Sequence, residues 1–186
     1  MEKIGMKQNN KSKIKTNIEI IEANKNDIDD ILYLKQKIYN KMDNKEWYEI
    51  AGTDKNFLEK LLLNEGLILK AVVDNQLVGY LIMERYLNPN DQIIKLTNLD
   101  TEVDNCLELS NIGVDDNYRG NHLQQKMINI AEKIMLSKYN IKYILATVHP
   151  NNIASLKNLT NISYKIVSKA KMYGGKDRNI LLKTIK

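Results

Sequence analysis

The spacing of apolar residues divides the chain into short segments. Asn17–Ala23 begins by alternating, with Ile18 and Ile20 on either side of Glu19, and predicts a strand. Asn26 or Asp27 then caps a predicted helix with the stripe Ile28, Ile31, Leu32, Leu34 and Ile38. Phe57, Leu58, Leu61 and Leu62 mark a second helix over about 54–64. Trp47-Tyr48, between the two, has no period to assign it. Leu67–Val73 and Leu77–Tyr86 are rich in branched and aromatic residues and separated by Asp74-Asn75-Gln76, the pattern of a β-hairpin. Residues 93–104 read as loop or edge strand.

The second half is more regular. Cys106–Val114 predicts a strand, followed by a helix from near Arg119 to about Tyr139 with Leu123, Met127, Ile130, Ala131 and Ile134 on one face. Tyr143–Val148 reads as a buried strand closed by Pro150, and Asn151 or Asn152 caps a short helix through Asn161. Ser163–Val167 and Asn179–Ile185 predict two last strands around the turn Tyr173-Gly174-Gly175. The order β-α-α-β-β-β-α-β-α-β-β, without an internal repeat, describes one α/β domain over 17–186. Its mixed sheet would hold about six to seven strands flanked by helices.

Composition leaves this picture in place. The 186 residues are 43% hydrophobic and 27% charged, ordinary for a globular chain. No apolar run is long enough for a bilayer, and Met1–Thr16 has no apolar core, so neither a membrane span nor a secretory signal is expected. A single cysteine, Cys106, allows no intrachain disulfide and fits a reducing cytoplasm, the expected location. As a lone residue on a core strand it reads as a small apolar side chain rather than an acyl carrier.

Charge changes the picture only locally. The net +5 resides mostly in residues 1–16, where Lys3, Lys7, Lys11, Lys13 and Lys15 face only Glu2. That stretch reads as a basic, flexible N-terminal extension. The remainder carries about +1, too little for a phosphate-binding stripe, so no specific nucleic-acid partner is expected.

Candidate chemistry concentrates at the start of the long helix. A helix N-terminus offers unpaired N–H groups and partial positive charge. Gly120 would let an anion approach the backbone there, and Arg119 adds a cation. The loop Tyr118-Arg119-Gly120-Asn121-His122-Leu123-Gln124 therefore suits a diphosphate, though a plain tight turn would look the same. No P-loop, dinucleotide-binding glycine pattern, nucleophile elbow or metal-ligand spacing is present, and no metal is expected.

The segment Ile112-Gly113-Val114-Asp115-Asp116-Asn117-Tyr118-Arg119-Gly120-Asn121-His122-Leu123 resembles motif A of the GNAT superfamily of acyl-CoA-dependent N-acyltransferases. Val148-His149-Pro150-Asn151-Asn152-Ile153-Ala154-Ser155-Leu156 resembles its motif B, and Ser163–Val167 the start of the strand beyond it. The motifs cover about residues 106–168, and the element order agrees from about residue 17. Two motif A positions that are usually small in the family hold His122 and Gln124 here.

The resemblance implies a GNAT-like domain whose two central strands, 106–114 and 143–148, splay apart around the pantetheine arm of acetyl-CoA. It implies cofactor contacts at Ile112, Gly113, Val114, Arg119, Gly120, Asn121, His122, Leu123, Gln124 and Asn152. The partners would be an acyl-CoA and an amine acceptor, small molecule or peptide; a homodimer is compatible. Direct attack on a thioester needs a base for the amine. Glu108 is the first candidate, sharing a strand face with Ser110, Ile112 and Val114 unless a bulge intervenes. His149 is the second. The tyrosine that many members use to protonate the leaving thiolate would fall at Leu159, and Tyr118, Tyr164 and Tyr173 lie elsewhere. A thiol is acidic enough to leave without such a group. The alternative is a CoA-binding module with little or no activity. Trp47, Tyr48 and Tyr86 are candidates to line an acceptor pocket, and Asp100, Glu102 and Asp104 to attract a cationic amine.

Overall fold

The computed structural model describes residues 2–6, 16–50, 53–63, 66–85, 92–97, 99 and 103–185. Strands β1 (Glu2–Met6) and β2 (Thr16–Glu22) are followed by helices α1 (Ile28–Lys41) and α2 (Lys55–Leu63). The hairpin β3 (Leu67–Val73) and β4 (Gln76–Arg85) and the short helix α3 (Gln92–Lys95) come next. The rest is β5 (Cys106–Val114), α4 (Leu123–Lys138), β6 (Tyr143–Val148), α5 (Ile153–Thr160), β7 (Lys165–Met172) and β8 (Lys176–Thr184).

Seven strands, in the order β2-β3-β4-β5-β6-β8-β7, form an open mixed sheet, and β1 adds antiparallel at the β2 edge. Among the described strands only β5 and β6 pair in parallel. Parallel neighbours need a crossover, and α4 supplies it.

Helices cover both faces, which is why β3 is apolar nearly throughout instead of alternating. Against one face α4 buries Leu123, Met127, Ile128, Ala131 and Met135 over Leu81, Leu107, Leu109 and Ile144. Against the other, Ile28, Ile31, Leu34 and Ile38 of α1 and Leu58 and Leu61 of α2 meet Ile68, Tyr80 and Ile82. A third cluster joins Ile93 and Ile94 of α3 to Cys106, Leu145, Met172 and Ile180.

Several boundaries differ from the sequence reading for local reasons. The segment read as loop or edge strand contains α3 and a single turn at Val103–Asn105. Asp27, one of the two residues expected, stands at the N-cap of α1, and a single turn at Lys25–Asp27, itself capped by Asn24, precedes it. The Asn24 side chain accepts from Asn26 N–H and the Asp27 carboxylate from Asn24 N–H, leaving Asp27 without a capping bond to α1 itself. The long helix starts at Leu123 rather than near Arg119, because Gly120 (φ 81°) and His122 (φ 57°) are left-handed and cannot continue a helical turn. Strand β7 is longer than its pattern suggested. It is the sheet edge and largely exposed, so its residues need not alternate. Tyr86, Asp100 and Glu102 lie outside the described residues, as does 7–15 of the basic extension.

Candidate functional site

The parallel pairing of β5 with β6 runs from Cys106 opposite Tyr143 to Leu109 opposite Ala146, and there it stops. Beyond that point β5 stays with β4, as far as Val114 opposite Gly79. Thr147 and Val148 of β6 stay with Ile180 and Asn179 of β8. The facing edges of the two central strands therefore part, and each presents backbone groups that its neighbour does not satisfy.

The parting coincides with a bulge. Ile82 pairs with Asn111 and Met83 with Leu109, so Ser110 is the extra residue. It changes the facing of β5. Leu107 and Leu109 pack on the α4 side, and after the bulge so do Ile112 and Val114. Asn111 points the other way, where its Oδ1 accepts from the Tyr48 and Tyr80 hydroxyls at 2.6 and 2.8 Å. By alternation Glu108 belongs to this second face. It therefore does not share a face with Ile112 and Val114, the arrangement expected for an unbroken strand.

On the α4 side, a turn at Asp116–Tyr118 leads from β5 into the loop. Buried Asp115 holds this turn, accepting from Asn117 N–H at 3.0 Å and from the Lys37 ammonium at 2.7 Å. Burial pushes its carboxyl up, but Lys37 and the Asn117 amide outweigh this and hold it below the usual carboxylate range. Arg119 follows, paired with Asp116 at 2.7 Å and half exposed. Gly120 is open around its Cα, with no atom beyond its two chain neighbours within 4 Å of where a Cβ would stand. Asn121 closes the loop by donating to the Tyr118 and Arg119 carbonyls. His122, with no capping side-chain bond, opens α4 and leaves the first amides of the helix directed outward.

The two nonstandard residues have definite places. Gln124 accepts from the Asn158 carboxamide, and neighbouring Gln125 donates to the Asn158 carbonyl at 3.1 Å, tying the start of α4 to α5. His122 is exposed. Asn152 caps α5 through Ser155 N–H at 3.1 Å. Leu159 is buried in the α4-side core, so the expected tyrosine position is apolar.

A cavity of about 880 Å³ spans the parting strands, with Gly120, Gln124 and Asn152 toward the loop and Trp47, Glu108 and Arg178 toward the second face. Glu84 and Glu108 are directly opposite on β4 and β5, and both line it. Ser110 donates its hydroxyl to Glu84. The two side chains give this wall its acidic groups. Tyr173 reaches in from the β7–β8 turn, its hydroxyl 3.1 Å from Thr147 Oγ1 at the first position after the pairing ends. Burial and the nearby Glu108 carboxylate push the Tyr173 phenol up to about 12. Lys35, buried on α1, donates to the Ile50 and Thr53 carbonyls and anchors the segment carrying Trp47 and Tyr48. Burial brings its ammonium down to about 8, with Glu49 and Asp54 opposing.

His149 is buried at the end of β6. Its Nδ1 accepts from Asn151 N–H at 3.1 Å, so the neutral ring keeps its proton on Nε2. Cys106, the first residue of β5, is buried, and burial raises its thiol to about 11, too high for a ready nucleophile.

Sequence reading missed Glu84, Thr147 and Arg178, which reach the cavity from three strands, and it set Tyr173 aside. The one available signal was the turn Tyr173-Gly174-Gly175. All three residues are left-handed there (φ 50°, 78° and 103°), which turns the tyrosine back over β6.

The comparisons with known proteins agree with this geometry. The family model described as the acetyltransferase (GNAT) family matches residues 28–159. No curated protein matches the sequence. Solved structures share the fold at low identity. An acetyltransferase of the GNAT family from Streptococcus pneumoniae superposes with a TM-score of 0.70 at 15% identity, covering 91% of this chain and 99% of its own. Ribosomal-protein-alanine N-acetyltransferase from Brucella melitensis gives 0.69 at 18%, covering 90% and 99%. The PaiA N-acetyltransferase from Thermoplasma acidophilum, solved with coenzyme A, gives 0.65 at 19%, also covering 90% and 99%. With its splayed central strands and a family match over most of its length, this chain belongs to the acetyltransferase (GNAT) family.

Proposed function

We propose that the protein is an N-acetyltransferase that moves an acetyl group from acetyl-CoA to an amine by direct attack. The observation that carries this reading is the alignment of three features along one cavity. These are the glycine-opened start of α4, the unpaired edges of β5 and β6, and the carboxylates beyond them. The diphosphate would lie on the amides from Gly120 to Gln124, with Arg119 exchanging Asp116 for a phosphate oxygen. The pantetheine arm would pair with the open edge of Ile112, Gly113 and Val114, facing Asn152. A relative solved with coenzyme A supports the donor class.

In this reading Glu108 accepts the proton of the attacking amine. The amine nitrogen bonds to the thioester carbon, and the C–S bond breaks with its electron pair moving to sulfur. The thiolate then takes up the proton from Glu108, directly or relayed through solvent, which restores the starting charge of both. Glu108 suits the base role better than His149, whose Nδ1 lone pair is already engaged by Asn151. Buried Leu159 favours a second reading, a CoA-binding module without turnover. A thiol-release assay across primary amines separates the two. Acetyl-CoA-dependent thiol release with at least one amine supports the transferase, and tight CoA binding without turnover of any amine supports the module.

A further inference from the structure

Two buried donors on the acceptor side of the cavity have no acceptor among the described residues. Arg178 is only 2% exposed. Its Nη1 donates to the Asp177 carbonyl at 2.8 Å, its guanidinium lies 5.3 Å from the Tyr173 ring centroid, and its Nη2 has no partner. The Trp47 indole Nε1, also buried, is likewise without one. Both residues line the cavity. Both also flank His149: the Trp47 ring lies 6.4 Å from the imidazole, and the pairing of Val148 with Asn179 sets Arg178 across from His149.

Buried N–H donors are almost always satisfied, and leaving one unpaired is costly. The structure closes both atoms to water, so a ligand oxygen reaches them only once the side chains around them part; two such donors in residues that border one cavity point to a ligand that does this. A guanidinium and an indole N–H together suit an anionic oxygen better than a neutral one, because a charge-assisted bond to Arg is the stronger. Toward β5 the same cavity carries Glu84 opposite Glu108, while around Arg178 the carboxylates of Glu49, Glu46 and Asp177 lie near enough to be felt by the guanidinium. Tyr173 spans the two ends: it stacks on Arg178 and feels the Glu108 carboxylate.

We propose that the acceptor is an amine that also carries a carboxylate, of the free amino-acid class. Arg178 Nη2 and Trp47 Nε1 hold the carboxylate, and Glu108 receives the ammonium. This deepens the transferase reading and rests on it.

The test compares acceptors within each protein. Acetyl-CoA-dependent thiol release is measured with sets of amino acids, their carboxamides and the corresponding amines without the carboxylate. For at least one side chain the free acid is expected to exceed both analogues in kcat/KM by about tenfold or more. That preference should fall to within about threefold in Arg178→Met. Arg178→Lys and Trp47→Phe, which disturb the core less, should each reduce it. A ratio taken within one variant does not depend on how much of that variant is folded. Amines or amides turned over as well as the acids, or a preference unchanged in Arg178→Lys and Trp47→Phe, would overturn the carboxylate subsite and leave the transferase standing. No turnover of any amine would overturn the transferase reading, and the subsite with it.

Discussion

The proposed donor side and the proposed acceptor side of the cavity are built by different means. The donor side is mostly main chain from one continuous stretch. Strand β5, a turn held by Asp115, two left-handed residues and the first amides of α4 follow one another within residues 106–124. The acceptor side is mostly side chain, drawn from the 43–49 segment and from β4, β5, β6 and β8. A main-chain site depends on where glycine, caps and strand ends fall, so it leaves a local pattern. A side-chain site depends on tertiary packing between distant segments, and its residue types taken singly look like any other surface or core position.

The strongest way to break this comparison is to attack the chemistry where the two sides meet. If Glu108 takes the amine proton, Glu108→Gln should lower kcat by about 100-fold or more. CoA affinity measured by calorimetry should stay unchanged. A loss of CoA binding instead would place Glu108 on the donor side.

The next test addresses the main-chain site. Gly120→Glu puts a carboxylate where the diphosphate is expected, and the left-handed φ adds backbone strain. CoA affinity should fall by about 100-fold, about 3 kcal/mol, in the same calorimetric titration. Because no protein atom beyond its two chain neighbours lies near this position, the fold should survive, with Gly120→Ala costing only about 1 kcal/mol. Unchanged affinity in a folded Gly120→Glu protein would remove the loop from the donor site.

Smaller effects sharpen the contrast. Tyr173→Phe deletes the hydroxyl beside Thr147 and should raise the acceptor KM severalfold, a loss of about 1 kcal/mol, while leaving the KM for acetyl-CoA alone. Acid should loosen the donor turn. Asp115 is held below its unfolded range, so its contribution is complete above an ordinary carboxylate pKa and disappears as pH falls through the lower folded value. Asp115→Asn should therefore flatten part of the acid side of the melting-temperature profile. Lys35 works in the opposite window. With its ammonium lowered to about 8, the folded state binds fewer protons than the unfolded state between pH 8 and the ordinary lysine value. Stability should accordingly rise with pH there, and Lys35→Met should remove that slope in thermal melts.

What was readable from sequence follows the same division. Cys106–Val114 and Tyr143–Val148 match β5 and β6 residue for residue, because β6 is a largely apolar run and β5 ends where Asp115 opens a turn. The splay between them came from the family resemblance, and the register of the two strands bears it out. The start of α4 was placed early because Arg119 and Asn121 are neutral to helix pattern, whereas Gly120 and His122 adopt left-handed conformations that only the folded loop reveals. Glu108 was visible as a carboxylate on a core strand. Its facing was not, because the bulge at Ser110 has no sequence mark. Arg178 was hidden for a similar reason. It sits in a Lys176-Asp177-Arg178 run that reads as solvated surface, yet β8 turns it into the protein.

The most direct test of the whole account is a crystal structure of the protein with acetyl-CoA. The diphosphate is expected against the amides of Gly120 to Gln124, and the thioester between Ser110 and Thr147 where β5 and β6 part, with its acetyl group toward Glu108. A cofactor bound elsewhere, or a thioester directed away from the Glu84–Glu108 wall, would contradict it.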